Sequence, residues 1–411
     1  MLKSSALAIL FFSLTQSSSV YAFTKTHQVY VRNDETHQIE LQEHALEDLV
    51  DPGFAEGKHF KVVDQKSETP IALDGSEMGI RAASVYHNLT TARKFWVNLV
   101  GESGLEHIGH LTVRLDITNQ FTDLARFMND SLAPSYNNAT SIPKSDDEKL
   151  DNYPSWNYEI WFRPQKEVSE KTALAAFDEA SKNKAMYAQV RFGLLNNALT
   201  QYAQMSVRFD TLINPKYHLK QIAVNFAITE AVPKVLGVFG RMIKRKVFLD
   251  TATIPEVAYH EYTHIALAKT LPIGNSTPVL EGIANFFAMQ IMGYDKIIAK
   301  LGDHGKARQV MSGKKWSRYS QMHEQHSYSW ENLTLEVLCH LADEFSDETM
   351  QKALLLSIQK MESYQLGGVS KANIRVHLTD ALHSALSSLS APNERFNVAY
   401  RINTVLDRMG F

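Results

Sequence analysis

Two histidines and a glutamate in one short stretch have the residue types and the spacing of a metal site. The segment His260-Glu261-Tyr262-Thr263-His264 follows the pattern H-E-x-x-H. On a helix, side chains at i and i+4 project from one face, so His260 and His264 can reach a single metal ion. Glu261 lies about 100° further round the helix, where it can accept a proton from an activated water and later return it to a leaving group. The motif predicts a hydrolytic metal centre with Glu261 as its general base.

A third ligand is predicted a short distance downstream. Catalytic zinc sites take three protein ligands and keep the fourth position open, and two histidines with one glutamate are a standard set. Thr277-Pro278 is typical of a helix start, and Glu281 follows in the next turn beside the small residues Gly282 and Ala284. The sequence therefore predicts one zinc ion per chain, bound by Glu281 and the two histidines. The alternative is a buried histidine pair that binds no metal.

The local sequence also predicts the helix on which the motif depends. Thr253-Ile254-Pro255-Glu256 is typical of a capping box, with Thr253 as N-cap and Glu256 reaching back to it. Pro272 and Gly274 end the helix.

The remaining pattern divides the chain into a strand-rich part and a helical part. Apolar residues spaced three and four apart predict a helix over 78–101, and the Asn-, Ser-, Asp- and Pro-rich residues 128–155 indicate a long loop. After Thr253 the pattern is mostly helical. The predicted class is α+β, with a sheet-bearing N-terminal lobe and a mainly helical C-terminal lobe. Strands are predicted at 28–31, 60–63, 111–117, 158–162, 205–209 and 246–249.

Residues 253–288 resemble the gluzincin group of zinc metallopeptidases, which includes thermolysin-like enzymes, aminopeptidase-like proteins and bacterial collagenases. The pentapeptide His260-Glu261-Tyr262-Thr263-His264 is similar to the collagenase form of the motif. Pro278-x-x-Glu281-Gly282-x-Ala284 is similar to the form in peptidase-MA-like proteins. The resemblance implies a two-lobed zincin fold, a protein or peptide substrate, and Glu281 as the ligand from the second helix.

The resemblance also implies roles for residues outside the ligand set. Asn285 stands where relatives often carry an acidic residue, and its amide oxygen can accept a hydrogen bond from a ligand imidazole. Tyr328 is the candidate donor to the oxyanion of the tetrahedral intermediate, with His326 and Tyr319 as further candidates. The alternative for Tyr328 is an aromatic side chain packed beneath the cleft.

A substrate-binding edge strand is implied by the same resemblance. Asn138 and Ala139 are similar to the Asn-Ala segment with which thermolysin-like enzymes pair a peptide substrate, although an ordinary Asn-rich turn is the alternative. The Gly-x-Met-Glu-Asn element of aminopeptidases is absent from the sequence, which favours an endopeptidase. A zinc aminopeptidase and a non-catalytic binding protein on a gluzincin scaffold remain as alternatives.

Composition and the N-terminus indicate an exported protein. The chain has 411 residues, a net charge of −3 and a hydrophobic fraction of 44%, which are typical of a globular protein and give no electrostatic case for nucleic acid. A signal peptide is predicted from three features, which are Lys3, an apolar run too short to span a bilayer, and the small residue Ala22. Cys339 is the single cysteine, so no intrachain disulfide can form. An exported chain without disulfides favours a bacterial secreted or periplasmic protein, and no transmembrane segment is predicted.

These observations divide the chain into four segments. The predicted order is a signal peptide (1–22), a leading β-rich segment, small domain or pro-segment (23–80), the N-terminal catalytic lobe ending in the H-E-x-x-H helix (81–270), and a helical C-terminal lobe carrying the third zinc ligand (271–411).

Overall fold

Most of the described strands lie before residue 250, and most of the described helices lie after it. The computed structural model of the protein describes residues 25–116 (except 34, 37 and 66), 140–144, 157–168 (except 165), 246–268 (except 249), 278–293, 297–299, 307–309, 327–362 and 371–410. The strands are β1 (Thr26–Arg32), β2 (Ile39–Ala45), β3 (Phe60–Asp64), β4 (Leu111–Leu115), β5 (Thr140–Lys144), β6 (Asn157–Trp161), β7 (Lys166–Val168), β8 (Lys246–Phe248), β9 (Ile297–Ala299) and β10 (Ala307–Gln309). The helices are α1 (Glu77–Val100), α2 (Pro255–Leu267), α3 (Pro278–Met292), α4 (Ser327–Phe345), α5 (Asp347–Glu362), α6 (Lys371–Leu389) and α7 (Val398–Arg408). The chain is therefore a mixed α+β protein.

A four-stranded mixed sheet supports the helices of the described first part. Its order is β3-β4-β6-β5, in which β3, β4 and β6 are parallel and β5 runs antiparallel to β6. Val62, Val113 and Ile160 are fully buried on these strands, as expected for the covered face of a sheet. Strand β3 lies before the predicted segment boundary at residue 80 and β4 lies after it, so one sheet contains strands from both segments.

Strand β5 is the outer strand of this sheet among the described residues. It lies inside residues 128–155, so the prediction of a loop is wrong for residues 140–144. The sequence Thr140-Ser141-Ile142-Pro143-Lys144 shows no clear alternation, but an edge strand needs only one hydrogen-bonding neighbour and tolerates proline. Asn138 and Ala139 immediately precede β5 and lie outside the described residues, as does the predicted strand 205–209.

Helix α1 connects β3 to β4, and the β1–β2 hairpin packs against it. The helix begins where the Ser76 hydroxyl accepts a hydrogen bond from the Gly79 N–H at 3.1 Å. It ends at Gly101, whose φ of 76° suits a glycine. Two side chains of α1 form hydrogen bonds with the backbone of Tyr30 in β1. The Tyr30 N–H donates to Ser84 Oγ at 2.8 Å, and Asn88 Nδ2 donates to the Tyr30 carbonyl at 3.3 Å. The hairpin is therefore bound to α1 by backbone groups as well as by apolar packing.

The second part of the chain packs helix against helix around α3. Helix α3 lies against α2 on one side and α4 on the other. Phe287 of α3 contacts Trp96 of α1 with ring centroids 4.7 Å apart, so the buried apolar residues of the two parts form one cluster. The short antiparallel pair β9–β10 is an addition to the mainly helical segment predicted from residue 271. Among the described helices, none combines the length and the apolar character that crossing a membrane requires.

Candidate metal centre

The motif helix α2 begins in a different way from the one that the sequence predicts. Ile254 is the N-cap and makes no side-chain capping bond, and Pro255 occupies the first helical position. Thr253 instead ends a 3-10 turn, and its hydroxyl donates to the Asp250 carbonyl at 2.9 Å. The predicted capping box is therefore wrong, because the Glu256 carboxylate pairs with Arg32 of β1. A tertiary ion pair has replaced the local hydrogen bond.

Contacts along its length hold α2 in place. The buried Tyr262 ring packs edge-on against Phe60 of β3, with centroids 6.0 Å apart. The Tyr259 hydroxyl donates to Asn88 Oδ1 of α1 at 3.3 Å. In the last turn, the Ile265 carbonyl is 3.0 Å from His107 Nε2, which acts as the donor because a carbonyl oxygen can only accept. The strand layer, α1 and the 3-10 helix Glu102–Ile108 before β4 therefore all restrain this helix.

The packing of α3 on α2 brings the three predicted ligands together. His260 Nε2 lies 3.0 Å from His264 Nε2 and 3.0 Å from Glu281 Oε2, and His264 Nε2 lies 3.6 Å from Glu281 Oε1. His260 and His264 are one turn apart on α2, and Glu281 lies in the first turn of α3. Within the described ranges this is the group of three or more potential ligands that could bind a metal ion.

The distances between these donor atoms fit a small tetrahedral cation. Zinc bonds to nitrogen and oxygen of about 2.0–2.1 Å imply donor atoms about 3.3 Å apart in a tetrahedral site. The observed separations of 3.0, 3.0 and 3.6 Å bracket that value. A cation at the centre would therefore need only small side-chain adjustments to be bound by all three residues.

The protonation pattern of the group also favours a cation. The Asn285 amide turns its oxygen toward His260, with Oδ1 2.9 Å from Nδ1, so Nδ1 carries the proton and Nε2 of the neutral ring presents a lone pair. Burial alone would raise the pKa of Glu281, but in the metal-free group the positive charge of His264 and the hydrogen bonds that protonated His260 and His264 donate hold that pKa well below its ordinary value. Glu281 is therefore a carboxylate at neutral pH, as a ligand must be.

Two of the three ligand side chains are partly exposed to solvent. The side chain of His260 is 6% exposed, whereas those of His264 and Glu281 are 19% and 23% exposed. A catalytic zinc site needs a position open to solvent, which a purely structural site lacks, and the partial exposure of His264 and Glu281 fits that need. Glu261 follows His260 directly and is itself buried.

Of the three candidate donors to the oxyanion, the structure describes the position of Tyr328 alone. Tyr328 lies in the first turn of α4, the helix that packs along α3. His326 and Tyr319 lie outside the described residues. Arg32 and His107, which restrain the two ends of α2, were not identified from the sequence. No local signal marks them, since each contacts a helix more than a hundred residues away in the chain.

Neither a scan against protein-family models nor a search of curated proteins finds a match to this chain. The likeness to gluzincins therefore rests on the motif residues within 253–288.

Proposed function

We propose that this protein is a secreted zinc metallopeptidase of the gluzincin type. The observation that carries the proposal is the convergence of His260, His264 and Glu281, with donor-atom separations of 3.0 to 3.6 Å. The partial exposure of His264 and Glu281 and the glutamate directly after the first ligand add the two other features that zinc hydrolases need. The two-lobed zincin architecture and export by residues 1–22 belong to the same proposal.

Each residue has a defined part in this reaction. Zinc, when bound, polarises a carbonyl and lowers the pKa of water. The His260 and His264 imidazoles and the Glu281 carboxylate hold the ion, and Asn285 fixes the orientation and tautomer of His260. Glu261 accepts a proton from the attacking water and delivers it to the leaving amine.

An extended peptide is the substrate that best fits the elements near the centre. Strand β5 contacts the motif helix and is the outer strand of the described sheet. The backbone groups on its outer edge can pair with a bound peptide as an added strand. Such pairing does not depend on a free substrate terminus, so it supports an endopeptidase over an aminopeptidase.

The test combines metal binding with hydrolysis. We expect the purified chain to bind one zinc ion, measured by elemental analysis after dialysis. His260→Ala, His264→Ala and Glu281→Gln should each weaken binding, because each removes a donor. Glu261→Gln should keep the zinc but reduce cleavage of a peptide library by about 10²–10⁴-fold, since it removes only the base. The control is Glu344→Gln, the same change in the last turn of α4, which should leave both measurements unaltered.

Three results would redirect the proposal. A wild-type chain that binds no divalent metal at neutral pH contradicts the central claim. Zinc binding without hydrolysis of any library peptide would favour a non-catalytic binding protein. Cleavage restricted to peptides with a free N-terminus, with N-acetylated peptides left intact, would indicate an aminopeptidase.

A further inference from the structure

A buried ion pair joins the N-terminal hairpin to the start of the motif helix. Arg32 is the last residue of β1, and Glu256 is the second residue of α2. Their side chains pair and are each only 3% exposed. A charge removed from water to this degree is costly unless its partner is held in place. The geometry of β1 and the start of α2 are therefore coupled.

The position of Glu256 connects this pair to the metal ligands. Glu256 precedes His260 by four residues and His264 by eight, so the three residues follow one another along one side of α2. One turn of helix, about 6 Å for four residues, separates the ion pair from the first ligand. A rotation or shift of the helix at Glu256 would therefore move both imidazoles.

A second connection from the same strand reaches the residue next to the first ligand. The Tyr30 carbonyl accepts from Asn88 Nδ2, and Asn88 Oδ1 accepts from the hydroxyl of Tyr259, which precedes His260. Asn88 and Tyr259 are both buried. Strand β1 thus contacts α2 directly through Arg32 and indirectly through Asn88.

We propose that the β1–β2 hairpin is a permanent positioning element of the metal centre and acts through Arg32 on Glu256. The inference rests on the proposed metal-binding function. It adds that residues 26–45, whose sequence alone is compatible with a pro-segment, remain in the mature, metal-loaded protein. Arg32 touches neither the metal nor the substrate, and its role is to fix the helix that presents His260 and His264.

The test measures zinc affinity in full-length Arg32→Met. This change keeps a long side chain but leaves the buried Glu256 carboxylate without its partner. We expect the zinc dissociation constant, measured by competition with a chromophoric chelator, to rise about tenfold or more, as for the loss of groups that orient metal ligands. The matched control is Arg114→Met, which removes an arginine paired with the buried Glu159 on the sheet. It should leave zinc affinity unchanged.

A double variant separates positioning from folding. Replacing a buried ion pair by apolar side chains often preserves stability, so Arg32→Met/Glu256→Met keeps the chain folded even if the single variant unfolds. Under the proposal, its zinc affinity stays below that of the wild type, and the absorption spectrum of its Co(II) form is altered. Wild-type affinity in the folded double variant would overturn the positioning role.

The mature protein provides an independent readout. Intact-mass analysis of the zinc-loaded form purified from the producing cells should include residues 26–45. A zinc-loaded form that begins after residue 45 would overturn the inference while leaving the proposed function standing. A wild-type chain that binds no metal would overturn both.

Discussion

At the scale of single residues, the most informative contact is an amide where gluzincins, which the motif resembles, often carry an acid. Asn285 Oδ1 lies 2.9 Å from His260 Nδ1. A neutral amide oxygen orients the ring, but it stabilises positive charge on the imidazole less than a carboxylate does. The metal centre of this chain should therefore bind zinc less tightly than an otherwise identical centre with an acidic residue at 285.

Substitutions at Asn285 test this expectation. Asn285→Asp should tighten zinc binding, because a carboxylate makes the ligand imidazole more basic. Asn285→Leu should weaken binding by about 10–100-fold, because the His260 Nδ1–H loses its acceptor and the ring is no longer oriented. Zinc competition titrations at one pH measure both changes. Equal affinity in all three proteins would show that the hydrogen bond has no part in metal binding.

At the scale of elements, the contact between the hairpin and α1 contains a histidine that resists protonation. His44 of β2 and His87 of α1 contact each other with their rings tilted by 49° and their centroids 4.5 Å apart. Burial, together with the nearby charges of His44 and Lys94, lowers the pKa of His87 to about 4, although Glu47 opposes them. The hairpin therefore docks on a neutral imidazole.

This lowered pKa predicts that acid destabilises the fold. Between pH 6.5 and 4 the unfolded chain binds a proton at His87 that the folded chain does not. The part of the free energy of unfolding that depends on a neutral His87 is therefore complete above pH 6.5 and is lost as the pH falls toward 4. Its size is on the order of 3 kcal/mol. Urea unfolding of the metal-free chain should show a larger loss between pH 7.5 and 4.5 for the wild type than for His87→Gln. Parallel losses would contradict the prediction; His260 and His264 are common to both proteins, so their titration cancels.

At the scale of the whole molecule, the proposed metal ion would cross-link the fold, which no intrachain disulfide can do. The chain has one cysteine, Cys339, which is buried and free. The ligands come from α2 and α3, and α3 in turn packs on α4. A bound ion would therefore cross-link the strand-rich part of the chain to its helical part.

Removal of the metal should lower the stability of the entire fold. At free zinc a hundredfold above its dissociation constant, linkage predicts a gain of about 2.7 kcal/mol in the free energy of unfolding. Thermal unfolding with zinc and with excess chelator measures this difference, and His264→Ala serves as the control, since chelator should have little effect on a chain that binds zinc poorly. Identical unfolding of the wild type in both conditions would argue against a metal that bridges the two parts.

The sequence alone determined the features that depend on local spacing. The placement of His260, Glu261 and His264 on one helix, and of Glu281 and Asn285 on the next, follows from the helical repeat and from the prolines at the two helix starts, Pro255 and Pro278. Strands β3, β4 and β6 were predictable for the same reason, because buried strands carry a regular apolar pattern.

Only the tertiary structure decided the features that depend on partners distant in sequence. Glu256 has the spacing of a capping residue, yet it pairs with Arg32, because a buried arginine from β1 offers a stronger interaction than a backbone N–H. Strand β5 has little pattern of its own and forms because β6 supplies its hydrogen bonds. The separations within the ligand group depend on how closely α3 packs on α2, which no local repeat encodes.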